Sequence, residues 1–391
     1  MAEYKQYTKK NGDKAWLMRA YLGSDPVTGK PIKVNRRGFN TKKEAQQELT
    51  RLQNDFDKKG QSLTPNITFK ELYEMWLEQQ RKSVKPSTIA ISVRYANNQI
   101  LPAFGKLKLN KITVAYCQKI VNEWHDKYKQ YAFLRKVTAQ IMKYGISMEI
   151  MDSNPMRKTI LPRKKDEETK INFYSKEELQ EFMEIVKANN NYKHYAYFRL
   201  LAFTGMRKSE VLATQWKDID LFNKTISIGK TIAIDEHGEV VLQSPKTKSS
   251  TRSISLDDIT IKILSNWRIK QREDYFKLGY NTTSEKQFVF TTIENELYYP
   301  QVVNDWLDWI YKKEDKKRLK LDPDNKTIKR ITPHGFRHTH CSLLFDSGAN
   351  INQVQERLGH KDIKTTMNIY AHVTEKAKEE TGQKFAQYVN S

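Results

Sequence analysis

The chain is poor in cysteine and contains no long apolar run, and both shortages limit what kind of protein it is. Two of its 391 residues are cysteines, Cys117 and Cys341. They are too few for a disulfide framework, which favours a reducing compartment. No apolar run approaches the ~20 residues that a membrane span needs, and the first residues lack the apolar core of a signal peptide. We therefore expect a cytoplasmic protein with no segment embedded in a membrane.

Negative charge is scarce relative to positive charge. The chain has 68 Lys and Arg against 46 Asp and Glu, a formal net charge of +22. The excess favours a polyanionic partner, either nucleic acid or an anionic membrane surface. Residues 1–65 carry a net charge of +7, residues 66–165 carry +12 and residues 166–391 only +3. The last segment must therefore act through individually placed residues rather than through bulk charge.

The first segment, residues 1–60, has the pattern of a small sheet followed by a helix. Alternating runs at 15–21 and 32–39 predict strands, and we interpret the sheet as three-stranded. Thr41 with Glu44 three residues later is a capping box that predicts the start of the helix.

Three basic residues of this segment, Lys33, Arg36 and Arg37, lie on the second predicted strand. A sheet that bears them would enter a DNA groove as a β-ribbon does. The alternative is a solvated basic face with no ligand. Both interpretations stay open at this point.

The second segment, residues 66–160, is predicted to be helical. Two apolar stripes have helical spacing, which indicates buried helix faces rather than a cofactor site. Their members are Phe69, Leu72, Tyr73, Trp76 and Leu77, and then Leu134, Val137, Ile141, Tyr144 and Met148. The remaining faces are rich in Lys and Arg, which suits contact with phosphates.

The third segment, residues 171–391, mixes helix and strand. Ser175 with Glu178 predicts a helix start. Short antiparallel strands are predicted at 225–228, 240–242 and 252–256, with helices following them. The predicted fold class is therefore multidomain and mainly α with small antiparallel β: a sheet-plus-helix domain, a helical domain and an α+β domain.

One stretch of the third segment combines an imidazole with a guanidinium. Thr332 followed by Pro333 is an N-cap and a first-turn proline, so a helix begins there. His334 and Arg337 are three residues apart and share a helix face. A proton-exchanging imidazole beside a fixed guanidinium fork suits a phosphodiester.

Other polar clusters lie elsewhere in the same segment. Gly205 predicts a tight turn with Arg207 just inside the next helix, where Glu210 one turn on would hold the guanidinium. Gly359 predicts a left-handed helix end that projects His360. Two further features are a predicted basic loop that contains Lys246 and Lys248, and a motif that contains Tyr370.

Each of these features taken alone has an ordinary structural explanation. Arg207 with Glu210 would be a surface ion pair, and Tyr370 would be one of 20 tyrosines that pack. His334 with Arg337 would form an anion site or a core hydrogen bond, and His360 would be a helix cap. Three residues, His338, His340 and Cys341, suggest a zinc site, but they lack paired-ligand spacing and a fourth partner. We therefore expect no metal and interpret His338 and Cys341 as packing residues.

Taken together, these stretches resemble the tyrosine recombinase family. The similarity lies in TGMRKSEV, HGFRHTH, LGH and NIYAH, which occur in the family's order and spacing within residues 171–391. Residues 1–60 and 66–160 are similar in layout and charge to the arm-binding domain and the helical, SAM-like core-binding domain of phage and mobile-element integrases. The resemblance implies a bacterial, DNA-bound location.

The resemblance implies that Tyr370 is a nucleophile that forms a 3′-phosphotyrosyl enzyme and leaves a free 5′-hydroxyl. Arg207 and Arg337 would hold the non-bridging oxygens and offset the charge of the five-coordinate transition state. The covalent intermediate keeps the energy of the phosphodiester bond. The cations would do what metal ions do in other phosphoryl transferases. We therefore expect no cofactor.

The same resemblance assigns proton transfer to two further residues and a hydrogen bond to a third. Lys246 would protonate the leaving 5′-oxygen, although Lys248 is a close competitor for this role. His334 would act as acid and base toward the tyrosine, and His360 would donate a hydrogen bond to the phosphate.

The implied partners are double-stranded DNA, at core and arm sites, and three further copies of the chain on a Holliday junction. Accessory DNA-bending or excision factors are also implied. We expect the tail, residues 375–391, to dock on a neighbouring protomer, unless it folds back on its own domain. The functional alternatives are a non-catalytic architectural or regulatory DNA-binding protein and, within the family, a Xer-like chromosome resolvase.

Overall fold

The computed structural model describes residues 2–9, 13–24, 31–59, 67–163, 172–245, 250–322, 324, 327–359, 362–363 and 366–367. They form two compact units: Met1–Ser83 with Ser92–Lys164, and Val84–Ile91 with Lys165–Ser391. Within the described ranges, no helix is both long and apolar enough to cross a membrane.

The first unit begins with an antiparallel sheet in the order β1-β2-β3, followed by helix α1. Their bounds are Glu3–Thr8, Lys14–Ser24, Pro31–Phe39 and Lys42–Lys59. Both predicted strands and the predicted helix are present. Met18 and Ala20 of β2 pack with Ala45 and Leu49 of α1 in a small core.

The start of α1 differs in one detail from the predicted capping box. The Glu44 amide donates to Thr41 Oγ1 at 3.1 Å, as a capping box requires. The Glu44 carboxylate, however, accepts from the amide of Asn40 at 2.8 Å, one residue earlier than expected.

The other elements of the first unit are helical, as predicted. They are α2 (Phe69–Arg81), α3 (Pro86–Tyr95), a π-helical turn (Ala96–Ile100), α4 (Leu101–Phe104), α5 (Val114–Lys127), α6 (Tyr131–Ser147) and 3₁₀ turns at Leu109–Lys111 and Pro155–Lys158. The first part of α3, up to Ile91, is assigned to the second unit.

The residues of the two predicted apolar stripes are buried, except at the end of the second stripe. All five stripe residues of α2 are buried, as are Leu134, Val137 and Ile141 of α6. Tyr144 is half-buried. Met148 is 49% exposed, so its predicted burial is wrong. The helix ends at Ser147 and Met148 is its C-cap, so the helical spacing no longer directs its side chain to the core.

The second unit contains seven helices and five strands among its described residues downstream of residue 171. The helices are α7 (Lys176–Ala188), α8 (Tyr192–Thr204), α9 (Lys208–Leu212), α10 (Asp258–Lys277), α11 (Val302–Leu321), α12 (Pro333–Asp346) and α13 (Ile351–Leu358). The strands are β4 (Ile219–Asp220), β5 (Thr225–Ile228), β6 (Thr231–Ile234), β7 (Val240–Gln243) and β8 (Arg252–Ser255). A 3₁₀ turn, Trp216–Asp218, precedes β4.

These strands form an antiparallel sheet in the order β4-β5-β8 and a separate hairpin, β6-β7. The three predicted strands correspond to β5, β7 and β8. The sequence did not reveal β4, which has two residues, or β6, which follows β5 after Gly229 and Lys230. Strand β6 pairs with β7 rather than continuing the sheet of β5, a choice of partner that local alternation does not encode.

An aromatic core fixes α8 and α12 relative to each other. The rings of Phe182 and Phe336 have centroids 5.0 Å apart, and Phe198 lies 5.5 Å from Phe182 and 5.7 Å from Phe336. All three side chains are completely buried. Because close-packed interiors yield little, the ends of α8 and α12 are held in a defined arrangement.

Candidate active site

The carboxyl end of α8 is the point at which three helices meet. Gly205 ends α8 with φ +64°, a left-handed conformation that favours glycine. A Cβ at this position would lie 2.6 Å from Leu358 Cδ2 and 2.8 Å from His340 Cδ2. Glycine is therefore required both by the backbone conformation and by the approach of α12 and α13.

Two residues later, Arg207 forms an ion pair with Glu210. Arg207 is the N-cap of α9, one position earlier than the expected place just inside the helix. Its Nη1 donates to Glu210 Oε1 at 2.6 Å, and its amide donates to Glu210 Oε2 at 3.0 Å. The carboxylate therefore orients both the backbone and the guanidinium of Arg207, while the Arg207 side chain stays 40% exposed.

The sequence interpretation did not assign a role to Arg252, which shares the same carboxylate. Its Nη2 donates to Glu210 Oε2 at 3.1 Å, and both side chains are buried. Burial acts to raise the pKa of Glu210, but Arg252 and Arg207 bring it below its ordinary value. Glu210 is therefore ionised at neutral pH and holds two guanidinium groups.

Arg337 lies in the middle of α12 and is 1% exposed. Its Nη1 donates to the carbonyl of Gly205 at 2.8 Å, and its Nη2 donates to the carbonyl of Leu358 at 2.6 Å. Burial, together with the positive charges of Arg207 and Arg252, lowers the pKa of Arg337 to about 9. A site that opposes a further positive charge stabilises a bound anion such as a phosphate.

His334 lies one helical turn before Arg337, in the first turn of α12. The His334 side chain is exposed, but desolvation by its neighbours, together with His338 and the cations of Arg337 and Arg207, lowers its pKa to about 4. The imidazole is therefore neutral at neutral pH and able to accept a proton. Its ring packs edge-on against His338, with centroids 4.6 Å apart.

The fold thus brings together Arg207, Glu210, His334 and Arg337, which the sequence places in two stretches more than 120 residues apart. Direct contacts join Arg207 to Glu210, and the charges of Arg207 and Arg337 act on His334. The resulting pocket is cationic and carries a neutral base at its edge.

Two further residues near this pocket, His340 and Arg357, were not assigned to it from the sequence. Arg357 Nε donates to His340 Nε2 at 3.0 Å, and His340 Nδ1 contacts the carbonyl of Ala202 at 3.0 Å. Arg357 also donates to the carbonyls of Phe203 and Ser255. No local pattern marks these contacts, because each joins residues that are distant in the chain.

Three predicted catalytic residues lie outside the described residues: Lys246, His360 and Tyr370. The predicted tail, 375–391, also lies outside them. Their surroundings are partly visible. Gly359 ends α13 with φ +67°, as predicted. Lys85 Nζ donates to the carbonyls of Ser244 and Pro245 at 2.8 and 2.7 Å, and Lys246 is the next residue in the sequence.

The basic residues of the N-terminal sheet remain accessible. Lys33, Arg36 and Arg37 are exposed on β3. In the antiparallel register, Lys33 pairs with Tyr21, and Arg36 with Met18. The strand therefore presents its cations to solvent, and their predicted role in binding DNA stays a prediction.

Two of the three residues that suggested a zinc site, Cys341 and His340, have other contacts. Cys341 is buried with Val354 and Leu358, and burial raises the pKa of its thiol to about 12, so the predicted packing role is confirmed. His340 has both ring nitrogens in hydrogen bonds. Within the described ranges, no cluster of three or more His, Cys, Asp or Glu side chains is arranged to hold a metal ion.

Three family models match successive parts of the chain. The model of the phage integrase family matches residues 172–377, more than half of the chain. The model of the phage integrase N-terminal SAM-like domain matches residues 68–125, and that of an arm DNA-binding domain matches residues 4–56.

Relatives of similar length come from mobile elements and from bacteria. The ICEBs1 integrase of Bacillus subtilis is 26% identical over 372 residues, 93% of this chain and 94% of the relative. The integrase of Staphylococcus phage L54a is 28% identical over 87% of this chain and 98% of its own. A XerC-like tyrosine recombinase of Caldanaerobacter subterraneus is 29% identical over 97% of both chains.

Solved structures share the fold at lower identity. The Tn1549 transposon integrase in complex with transposon right end DNA has a TM-score of 0.64 and 21% identity, over 82% of this chain and 100% of the other. A lambda integrase tetramer bound to a Holliday junction has a TM-score of 0.53 and 15% identity, over 93% and 94% of the two chains. The chain belongs to the phage integrase family and is a tyrosine-type site-specific DNA recombinase.

Proposed function

We propose that this recombinase integrates and excises a phage or mobile genetic element through a 3′-phosphotyrosine intermediate formed on Tyr370. One observation carries the proposal: the buried Arg337 guanidinium is held on the carbonyl of Gly205, two residues before Arg207, so two cations from distant parts of the chain lie together. Such a pocket binds the phosphate of a DNA backbone and stabilises the additional negative charge of its transition state.

The chemistry begins with attack of the Tyr370 oxygen on the scissile phosphorus. A phenol has a pKa of about 10 and is a weak nucleophile at neutral pH, so it needs a base. We assign that role to His334, which is neutral; its lowered pKa of about 4 makes it a weak base until the negative charge of the bound phosphate raises that pKa. The phosphorus–tyrosine bond forms as the bond to the 5′-oxygen breaks, and Lys246 supplies the proton that the leaving oxygen takes. His360 donates a hydrogen bond to a non-bridging oxygen.

Arg207 and Arg337 have complementary duties in this scheme. Arg337 is buried and held by two backbone carbonyls, so it provides a fixed cation. Arg207 is partly exposed and oriented by Glu210, so it is able to contact an incoming backbone. Rejoining reverses the first step with a different 5′-hydroxyl, so neither a nucleotide nor a metal cofactor is required.

The three segments would divide the work of binding DNA. We assign arm-site binding to residues 1–60, core-site binding to residues 66–160, and cleavage to residues 171–391. The arm DNA-binding match at residues 4–56 supports an integrase rather than a chromosome resolvase, since arm sites are a second class of DNA site. The exposed cations Lys33, Arg36 and Arg37 are the proposed contacts.

The active assembly is proposed to be a tetramer that exchanges strands through a Holliday junction. Its support is the shared fold with a lambda integrase tetramer described on such a junction. Residues 375–391 would join neighbouring protomers, and accessory DNA-bending or excision proteins would set the direction. Because its substrate is DNA, we expect the enzyme to act in the cytoplasm of a bacterial host.

The test of the proposal is the variant Tyr370→Phe on a nicked suicide substrate that contains the core site. The wild type should form a covalent protein–DNA adduct. The variant lacks only the nucleophilic oxygen, so it should bind the same DNA and form none. An undiminished adduct in the variant refutes the assignment of Tyr370. Binding without cleavage by the wild type on a cognate site would support the non-catalytic alternative.

A second experiment identifies the lysine that acts as general acid. A substrate whose bridging 5′-oxygen is replaced by sulfur has a leaving group of lower pKa, which departs without a proton. Lys246→Ala should cleave the ordinary substrate about 100-fold more slowly but the sulfur substrate at nearly the wild-type rate. If Lys248→Ala shows this rescue instead, the role belongs to Lys248.

A further inference from the structure

The carboxyl end of α8 receives hydrogen bonds from three side chains of other helices. The last carbonyls of a helix lack partners within the helix. Here the carbonyl of Ala202 contacts His340, that of Phe203 accepts from Arg357 and that of Gly205 accepts from Arg337. Side chains of α12 and α13 therefore cap the end from which Arg207 follows.

The charge state of His340 is determined by its neighbours. A guanidinium has no acceptor, so the contact between Arg357 Nε and His340 Nε2 requires a lone pair on Nε2. The proton is then on Nδ1, which donates to the carbonyl of Ala202. Burial and the charge of Arg357 lower the pKa of His340 to about 3, so this neutral form persists at neutral pH.

His340 and Arg357 also fix both anchors of Arg337. The His340 ring packs against Gly205, whose carbonyl is the first anchor. Arg357 immediately precedes Leu358, whose carbonyl is the second anchor. Arg357 ties this part of α13 to α8 through Phe203 and to β8 through Ser255. A shift of either residue therefore moves an oxygen atom that positions Arg337.

We propose that His340 and Arg357 are positioning residues for phosphate binding: their imidazole–guanidinium pair fixes the two carbonyls that orient Arg337. The proposal rests on the proposed function, in which Arg337 binds the scissile phosphate. Displacement of a catalytic group by about 1 Å lowers the rate of chemistry by up to about 100-fold. Affinity for a long DNA site, which depends on many phosphate contacts, changes much less.

The test measures adduct formation on the suicide substrate at saturating enzyme, beside the Kd for the same DNA. His340→Phe keeps the ring but removes both hydrogen bonds, and Arg357→Met removes the donors. Each should slow adduct formation about 10- to 100-fold and change the Kd by less than about threefold. The double variant should be no slower than the worse single variant, because the pair acts as one unit.

Two conservative variants separate the hydrogen bonds of His340. In His340→Gln the side-chain oxygen occupies the position of Nε2 and accepts from Arg357, so the rate should return to within about threefold of the wild type. In His340→Asn the side-chain nitrogen takes the position of Nδ1 and retains only the bond to Ala202. This variant should be as slow as His340→Phe.

Cys341→Ala is the matched control for loss of packing. Cys341 is the next residue of α12 and is buried against Val354 and Leu358 of α13. Its truncation weakens the same helix contact without removing a hydrogen bond to the pair. The control should lower the melting temperature while adduct formation at saturating enzyme stays at the wild-type rate.

Three results overturn the proposal. They are a wild-type rate in His340→Phe or Arg357→Met, equal slowing in Cys341→Ala at a comparable melting temperature, and the absence of any adduct with the wild type. The last result refutes the proposed function as well. An adduct in the wild type that is lost in Tyr370→Phe, with unaffected His340 variants, rejects only the positioning role.

Discussion

At the scale of single residues, the candidate site depends on how its cations are held. Glu210 binds Arg207 and Arg252, whereas Arg337 uses two backbone carbonyls as anchors. A carbonyl orients a guanidinium without neutralising it, so the charge stays available to an anion. The lowered pKa of Arg337 follows from burial and from the neighbouring cations.

We expect Glu210→Gln to reduce cleavage and stability together. The substitution leaves the buried Arg252 guanidinium without its counter-charge and releases the side chain of Arg207. The free energy of unfolding should fall by about 3 kcal/mol, and adduct formation should slow about 10- to 100-fold. Denaturant unfolding and the suicide-substrate assay measure the two effects.

The control is Glu184→Gln, which removes an exposed pair with Lys187. This change should cost less than about 0.5 kcal/mol and leave cleavage unchanged. Equal effects of the two substitutions would show that Glu210 has no special role.

The low pKa of His340 predicts how stability depends on pH. The pKa of His340 is lowered to about 3 in the fold, whereas an unfolded histidine titrates near 6.5. Between these values the unfolded chain binds more protons, so the free energy of unfolding should fall as the pH drops from about 6.5 toward 3. Such a group contributes a slope of at most about 1.4 kcal/mol per pH unit.

His340→Phe removes this group and should make the pH dependence shallower. Denaturant midpoints at pH 7, 6 and 5 test this for the full chain and the variant. Parallel curves would show that His340 is protonated to the same extent in the folded and unfolded states.

At the scale of elements, the site is positioned by the end of α8 and the starts of α9 and α12. Helix α8 ends at a left-handed glycine, Arg207 is the N-cap of α9, and α12 begins at Thr332 with Pro333 in its first turn. The end of α8 and the start of α12 are visible in the sequence because a glycine end and an N-cap with proline have local physical causes, whereas α9 begins one residue later than predicted.

Lys85 tethers the residues that directly precede Lys246 in the chain. The Lys85 ammonium donates to the carbonyls of Ser244 and Pro245, and Ser87 bonds to Gln243 of β7. If this tether positions the general acid, Lys85→Met should slow cleavage of the ordinary substrate roughly tenfold. The 5′-sulfur substrate should then be cleaved at nearly the wild-type rate.

Lys82→Met provides the charge-matched control, since the Lys82 ammonium lies 3.4 Å from the Glu78 carboxylate in an exposed ion pair. It removes the same charge without affecting the tether, and both substrates should be cleaved normally. Slowing by Lys85→Met that sulfur does not rescue would mean that Lys85 acts on DNA binding instead.

At the scale of the whole molecule, positive charge and chemistry are separated along the chain. The first 165 residues carry a net charge of +19, the sum of +7 and +12, whereas the segment that contains the candidate site carries +3. Long-range attraction of DNA therefore arises mainly from the first part, and cleavage depends on a few placed cations.

Deletion of residues 1–62 tests the division of DNA binding. We expect the truncated protein to bind and cleave isolated core sites but to lose integration on arm-containing DNA. The substitutions Lys33→Ala, Arg36→Ala and Arg37→Ala in the full chain should weaken arm binding and reduce its salt dependence. Unchanged integration after the deletion would rule out the arm-binding role.

The sequence alone determined the local features of this protein. Alternation predicted strands β2, β3, β5, β7 and β8, capping signals predicted the starts of α7 and α12, and four motifs indicated the family. These features depend on neighbours in the chain. Even there, Met148 was misplaced because the helix ended one residue earlier than its apolar spacing suggested.

Only the tertiary structure decided which distant residues meet. Arg252 shares Glu210 with Arg207, and Arg357 bonds to His340, although no spacing rule connects these positions. The physical reason is that guanidinium and imidazole groups bond to whatever acceptor packing brings within about 3 Å. Sequence therefore supplied the reactive groups and the helix ends, while packing of α8, α12 and α13 chose their partners.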